Sequence, residues 1–478
     1  MMNKYITAAY VLVFMFCLQY AIKAQTYFQK VYLSSPYDQE GQDVVAMPDG
    51  GYLIAGYTGN SDQADCDVYI IKTDAFGNLV WTKTYGGAKP DFPYHMLPTA
   101  DGNYFLIGYS RSYGGGDSDI LLMKIDPSGN LLWQKTYGGL GNDEGRDIIA
   151  TTDGNYLIVG SSNSPSLGAQ NANLIKIDPA GTVIWSKLYG GGSDDFGNSV
   201  KQCADGGFIL LGQTFSYGVG NGDAYLIRTD VNGDTLWTKT YGGAYADEGI
   251  YVNVNPDNSY IFIIRDSSNA GMDIDTRLTR TDPNGNVVWS KVYGGTKKDT
   301  PKMIQPTSDG GYIIAAISRS FGWINPDMWI LKCDNAGDTT WTRHYGGVNN
   351  EHCYVVREQP DGSYIAVGKT ASYGPDMDPI FLKLNPNGTL AVGIQERPLA
   401  SNSIRLYPNP GDGNIKVELR DSKVKRVSVL NALGQDIYNR DIKEEEKIEI
   451  DLRDKRAGLY LLKCESETQS ITKNFIIN

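Results

Sequence analysis

Along most of this chain the apolar residues come in short runs rather than in a helical rhythm. At 155–162 the run is NYLIVGSS, at 173–178 NLIKID and at 183–190 VIWSKLYG, each bounded by Gly, Asn, Asp or Pro. Runs rich in aromatic and β-branched residues and punctuated by turn formers predict strands. With RDIIAT at 146–151 they make a unit of four. DPAG at 178–181 places Pro where a type I turn wants it and Gly where a positive φ is needed. No ten-residue stretch of this region carries the 3.6-residue period of a helix.

The unit recurs every 52 residues. Tryptophans stand at 81, 133, 185, 237, 289 and 341, each opening a phrase such as WTKTYGG. The phrase DGGY or a close variant ends at Tyr52, Tyr104, Tyr156, Phe208, Tyr260, Tyr312 and Tyr364. A four-stranded repeat of this length is a β-propeller blade, and seven copies predict seven blades. Each tryptophan is expected to wedge one blade against the next, with a burial worth on the order of 3 kcal/mol. Each YGG is a tight crossing between blades. The segment TYFQKVY (26–32) is a degraded copy, with Phe28 in the tryptophan position and Lys30 and Tyr32 retained. It is expected to complete the last blade, so that both ends of the repeat region close one sheet and remove its edges.

The recurring pattern YGG…D(E)…DGGYLI…D.YLIKTD..GN..W resembles the β-propeller repeat family of secreted bacterial proteins over residues 26–394. Beyond a polar linker, QERPLASNS at 395–403, the rhythm stops and IRLYPNPGDGNIKVEL, VSVLNALGQDIY and GLYLLK follow. Their alternation predicts a small Ig-like β-sandwich over 404–478. This stretch resembles the type A C-terminal sorting domain of the type IX secretion system, through Tyr407, Pro408, Asn409, Pro410, Gly413, Gly434, Gly458, Tyr460 and Lys473. The resemblance implies passage across the outer membrane by the type IX secretion machinery, with removal of the domain near the linker. Residues 1–24, with Lys4 before an apolar run and Ala24 at its end, read as a signal peptide. No second apolar span follows, so no stable membrane span is expected after cleavage. The expected domains are the signal peptide at 1–24, the propeller at 25–394, the linker and the sorting domain. The expected location is outside the cell or on its outer surface, reached through the periplasm.

Charge narrows the partners. Without residues 1–24 the chain has 41 basic against 55 acidic residues, a net of −14, while 404–478 holds 14 basic and 13 acidic. The acidity belongs to the propeller, and such a surface repels nucleic acid and anionic membranes. Cys66, Cys203, Cys333, Cys353 and Cys464 neither follow the repeat nor form ligand pairs, so they read as scattered buried thiols.

No complete catalytic motif is present: the GxSxG elbow is missing and there are three histidines, of which His95 and His344 fall within predicted strands. No catalytic residue is therefore assigned, which favours a non-enzyme while leaving the question of an enzyme open, and neither a metal nor a cofactor is implied. Calcium is conceivable on the acids that follow the crossings (Asp91, Asp143, Asp195, Asp247, Asp299, Glu351), but no D-x-[DN]-x-[DN]-G loop completes. A motif repeated in every blade is what architecture produces, whereas a site for one ligand should break the symmetry. The symmetry-breaking candidates are the loop aromatics Tyr113, Tyr217, Phe321 and Tyr373, the extra Trp323 beside Arg319, and His352 where sibling repeats have Glu144 and Glu248. Arg265 likewise replaces Tyr57 and Ser161. An aromatic platform with arginines suits an extracellular glycan or protein ligand. The alternatives are an enzyme acting on extracellular polysaccharide, with two acids of displaced pKa in the central pocket, and a structural or adhesive surface protein.

Overall fold

The computed structural model describes residues 27–33, 37–59, 65–164, 168–267, 274–321 and 325–390. Of the C-terminal part it describes 404–407, 413–419, 424–431, 436–442, 445, 447–455, 458–465 and 470–477. The stretches read from sequence as signal peptide (1–24) and linker (395–403) lie outside these. The chain divides into two compact units, Met1–Val392 and Gly393–Asn478.

The first unit is a ring of seven four-stranded antiparallel sheets. Blades 1 to 6 are continuous, at 38–85, 91–137, 143–189, 195–241, 248–293 and 299–345. Blade 7 takes three strands from 351–384 and its fourth from Phe28–Val31, which pairs antiparallel with Asp378–Leu384 (Phe28↔Lys383, Val31↔Ile380). The expected closure is present. The second and third strands of each blade are buried nearly throughout, because both their faces are covered by neighbouring blades. The fourth strands alternate exposed and half-buried positions.

The tryptophans stand third in those outer strands and are half-buried, so they bridge blades rather than sit in a core. Each reaches the glycine of the next blade's last turn. A Cβ on Gly129 would fall 2.5 Å from the Trp81 ring, and one on Gly181 would fall 2.9 Å from Trp133. Both glycines have φ near +75°, so the position demands glycine for conformation and for room. Two further contacts accompany the wedge: Lys83 Nζ donates to Asn130, and Tyr137 OH donates to the Gly181 carbonyl at 2.8 Å. At the closure Phe28, Lys30 and Tyr32 make the same set. A Cβ on Gly77 would lie 2.5 Å from the Phe28 ring, Lys30 bonds Asn78 at 3.0 Å, and Tyr32 OH bonds the Gly77 carbonyl at 3.0 Å.

The second unit packs a three-stranded sheet and a four-stranded sheet around a core including Val417, Val429, Ile450, Leu462 and Phe475. Cys66, Cys203, Cys333, Cys353 and Cys464 are buried and form no disulfide among the described residues.

Candidate functional site: the mouth of the central channel

The first strand of every blade lines the axis of the ring. Each carries a β-bulge at the same point, where one residue is skipped in the pairing with the second strand. The skipped residues are Gln42, Tyr94, Arg146, Asn198, Ile250, Lys302 and Tyr354. A bulge breaks the alternation of a strand and re-aims a side chain, and all seven of these side chains lie in or on the axial channel. Glycine opposite the bulge permits it in most blades: a Cβ on Gly160 would stand 1.7 Å from the Glu144 carbonyl oxygen.

Together with Glu248, Arg265, Thr300 and others, the seven enclose a cavity of about 270 Å³. The first strands begin at the blade crossings, so Glu248 and Thr300 mark the loop-face mouth. Below the bulge level a buried ion network forms the floor. Asp43 and Asp147 are buried, with His95 between them: His95 Nδ1 is 2.8 Å from Asp147, and Arg357 bonds Asp43 at 2.8 Å and lies 3.3 Å from His95 Nε2. Lys201 Nζ bonds Asp147 at 3.0 Å and sits 4.4 Å over the Tyr251 ring. Burial alone would raise the Asp147 carboxyl, but Lys201 and His95 outweigh it and hold it below the usual carboxylate range.

At the mouth, Arg146 pairs with Glu144 at 2.5 Å while its guanidinium lies 4.2 Å over the Tyr94 ring. Arg265 meets Glu248 at 3.4 Å, and its Nε is buried without a hydrogen-bond partner. Lys369 pairs with Glu40, which also accepts from Tyr354 OH at 2.7 Å. Lys302 differs from these: among the described residues it forms no ion pair, and its ammonium lies 5.7 Å from the centre of the Tyr354 ring. Burial pushes the Lys302 ammonium down; Glu248 opposes this, and Arg265 and Arg146 add to it.

Of the residues singled out from sequence, Arg265 lines this cavity, and His352 stands behind it with Nδ1 3.3 Å from the hydroxyl of the lining Tyr354. Burial, then the charges of Lys369, Lys302 and Arg319, hold the His352 imidazole down to about 3, so it is neutral. Arg319 is exposed and close enough to contribute to that effect. The loop aromatics are spread over blades 2, 4, 6 and 7, each engaged within its own surroundings. Tyr113 OH donates to the Gly86 carbonyl at 2.7 Å and Tyr217 OH to that of Gly190 at 2.8 Å. Phe321 packs on Trp329 and His344, and Tyr373 OH accepts from Gln29. Trp323 lies outside the described residues.

The crossing acids are buried and clasp the crossings. Glu351 accepts from Gly347 N, Thr370 Oγ1 and Ser372 Oγ at 2.8, 2.7 and 2.6 Å, and Asp91, Asp143, Asp195, Asp247 and Asp299 accept from the matching glycine N–H. Among the described residues no group of three His, Cys, Asp or Glu is placed to hold a metal ion.

The sequence reading passed over the bulge column, although a signal for it existed. In a chain whose columns repeat at 52 residues, the column from Gln42 to Tyr354 holds six residue types in seven copies.

In the second unit, Tyr407 ends a strand and donates to Glu418 at 2.9 Å. Gly413 has φ +90° with the Arg453 backbone 3.0 Å from where a Cβ would be. Gly458 opens a strand, Tyr460 stacks on Phe475, and Lys473 pairs in register with Leu462. Pro408, Asn409, Pro410 and Gly434 lie outside the described residues.

Comparison with known proteins fits this division. Residues 405–478 match the secretion system C-terminal sorting domain, and residues 359–390 match a β-propeller domain of unknown function, DUF5122. The regulatory protein FlaEY of Caulobacter vibrioides is 27% identical over 192 residues, which cover 33% of this chain and 20% of that protein. Among solved structures, PorZ, a surface component of the type IX secretion system of Porphyromonas gingivalis, is similar at TM-score 0.38 and 10% identity. That likeness covers 90% of this chain and 69% of that one. The extracellular domain of a hybrid two-component system from B. thetaiotaomicron is similar at TM-score 0.43 and 11% identity, covering 95% and 58%. Likenesses this distant carry no functional argument. No helix among the described residues is long and apolar enough to cross a membrane. The chain is a secreted β-propeller protein whose C-terminal type IX sorting domain engages the secretion machinery and directs it to the cell surface or the extracellular space.

Proposed function

We propose that the propeller is an extracellular binding protein and that its ligand is taken at the mouth of the central channel. One observation carries the reading. Seven bulges aim seven side chains at one cavity, and those side chains differ while the surrounding repeat stays constant. Architecture accounts for features shared by all blades, such as the clasped crossings. It gives no reason for Tyr94, Arg146, Asn198, Ile250 and Lys302 to follow one another around a ring. A structural coat protein would be served by a symmetric axis.

The cavity has the composition of a recognition site, with three tyrosine walls, amides and several cations. An enzyme acting on polysaccharide needs one acid that keeps its proton beside another that is ionised. Asp147, on the cavity floor, is moved the opposite way. Binding without turnover is therefore the reading the geometry favours, with a glycan or protein ligand.

The test is a screen of the purified full chain on glycan and peptide arrays, beside Arg146→Ala/Lys302→Ala and Tyr217→Ala/Phe321→Ala variants. Binding lost in the channel variant and kept in the loop variant supports the assignment. The reverse pattern moves the site to the loop face.

A further inference from the structure

The cation content of the channel mouth stands out against the ring around it, whose net charge is strongly negative. Arg146, Arg265 and Lys302 all line one cavity of about 270 Å³. Their carboxylate partners are too few to use them up. Glu144 and Glu248 each engage a single guanidinium, leaving further N–H donors on both arginines, of which Arg265 Nε is buried and unpartnered. Lys302 has no ion pair among the described residues, and burial, with Arg265 and Arg146, disfavours its charge more than Glu248 and Glu40 favour it. A desolvated cation cluster of this kind is relieved by an anion.

The remaining lining fits a hydroxylated ring rather than a bare ion. The Tyr94 and Tyr354 rings flank the cations, and Gln42, Asn198 and Thr300 supply neutral polar groups. Gln42 donates an amide N–H to Glu40, and Asn198 donates to Glu248 and to the Gly249 carbonyl, while the side-chain oxygen of each is an acceptor suited to hydroxyls. The volume lies just under the usual range of about 300–1,000 Å³ for drug-sized ligands, and so suits one ring.

Resting on the channel mouth being the ligand site, we propose that it binds an acidic sugar, with a hexuronate carboxylate held by Lys302, Arg265 and Arg146 and the sugar ring set against Tyr94 and Tyr354. The source is an extracellular uronate-containing polysaccharide. A sulfate ion shares the charge but not the ring, and an acidic peptide shares the carboxylate but not the hydroxyls.

Calorimetric titration of the full chain with a galacturonate trisaccharide, its methyl ester, inorganic sulfate and a glutamate-rich peptide tests this. The trisaccharide should bind and the uncharged ester should bind at least about tenfold more weakly, the span of a charge-assisted hydrogen bond. Lys302→Met should weaken the trisaccharide by a similar factor, while Lys302→Arg stays within about threefold. Both variants should melt with the wild type, which separates binding from folding.

Equal affinity for acid and ester, both lost in Tyr94→Ala, would overturn the carboxylate assignment and leave the channel site standing. Sulfate or peptide binding without trisaccharide binding would overturn it too, as would no trisaccharide binding at about 1 mM. Trisaccharide binding unaffected by both Lys302→Met and Tyr94→Ala would overturn the site along with the sugar.

Discussion

Replacing Phe28 by Ala tests the closure of the ring at its weakest-looking joint. Phe28 is 8% exposed, meets Phe381 edge-on at 5.2 Å, and fills the space over Gly77 that tryptophans fill at the other joints. Losing a fully buried Phe costs about 3–5 kcal/mol. Phe28 lies on the outermost strand, so we take about 3 kcal/mol. Unfolding about 360 residues at about 2.1 cal/mol/K each gives an entropy near 0.8 kcal/mol/K, and the melting temperature should fall by about 4 °C. Circular dichroism at a fixed heating rate reads this, with Trp185→Ala as the interior control. Deleting residues 25–33 should have a larger effect, because it also exposes the edge of Asp378–Leu384 to pairing with other molecules. If Phe28→Ala melts with the wild type while Trp185→Ala does not, the strand is paired but does not hold the ring. The argument from repeated contacts then fails.

Other consequences follow from buried acids. Glu351→Ala leaves three donors at the blade 7 crossing without their acceptor. It should cost about 3 kcal/mol, a drop of about 4 °C, whereas an unchanged melt would show the clasp to be idle. Asp67 is raised to about 6 by burial, then by Asp91 and Asp65, and Asp378 to about 6 by burial, then by Asp376 and Asp38. Because the folded values lie above the unfolded one, the stabilising protonated forms are fully present below about pH 4 and lost as pH rises through about 6. Asp67→Asn/Asp378→Asn should remove that loss and melt about 1–3 °C higher than wild type at pH 7.5, allowing for solvent screening. A variant melting lower at pH 7.5 would contradict this.

How much of this was legible in the sequence depends on what each feature rests upon. Blade number, strand order and the closing strand were readable because each blade solves the same packing problem with the same residues. Even the degraded copy keeps the Lys30 and Tyr32 contacts to Asn78 and Gly77. For the unit at 146–190 the predicted strands fall within a few residues of those observed, except that the first begins at Asp143. The tryptophans were expected to be buried wedges but stand half-exposed, since the outermost strand has a neighbour on one side only.

The site was legible in principle but not in place. Symmetry breaking pointed to Arg265, which lines the channel cavity, and to His352, which contacts the lining Tyr354. It also pointed to Tyr113 and Tyr217, whose hydroxyls are occupied by the crossings of their own blades. The bulge column was missed because a one-residue slip in pairing, invisible in a period-two pattern, decides that Gln42 and its counterparts turn to the axis.

The measurement that tests the central claim most directly compares ligand binding by the channel and loop variants of the full chain. The account predicts that Arg146→Ala/Lys302→Ala abolishes binding while Tyr217→Ala/Phe321→Ala leaves it within about twofold, as expected where truncation removes no ligand contact. Binding kept by the channel variant and lost by the loop variant would contradict it.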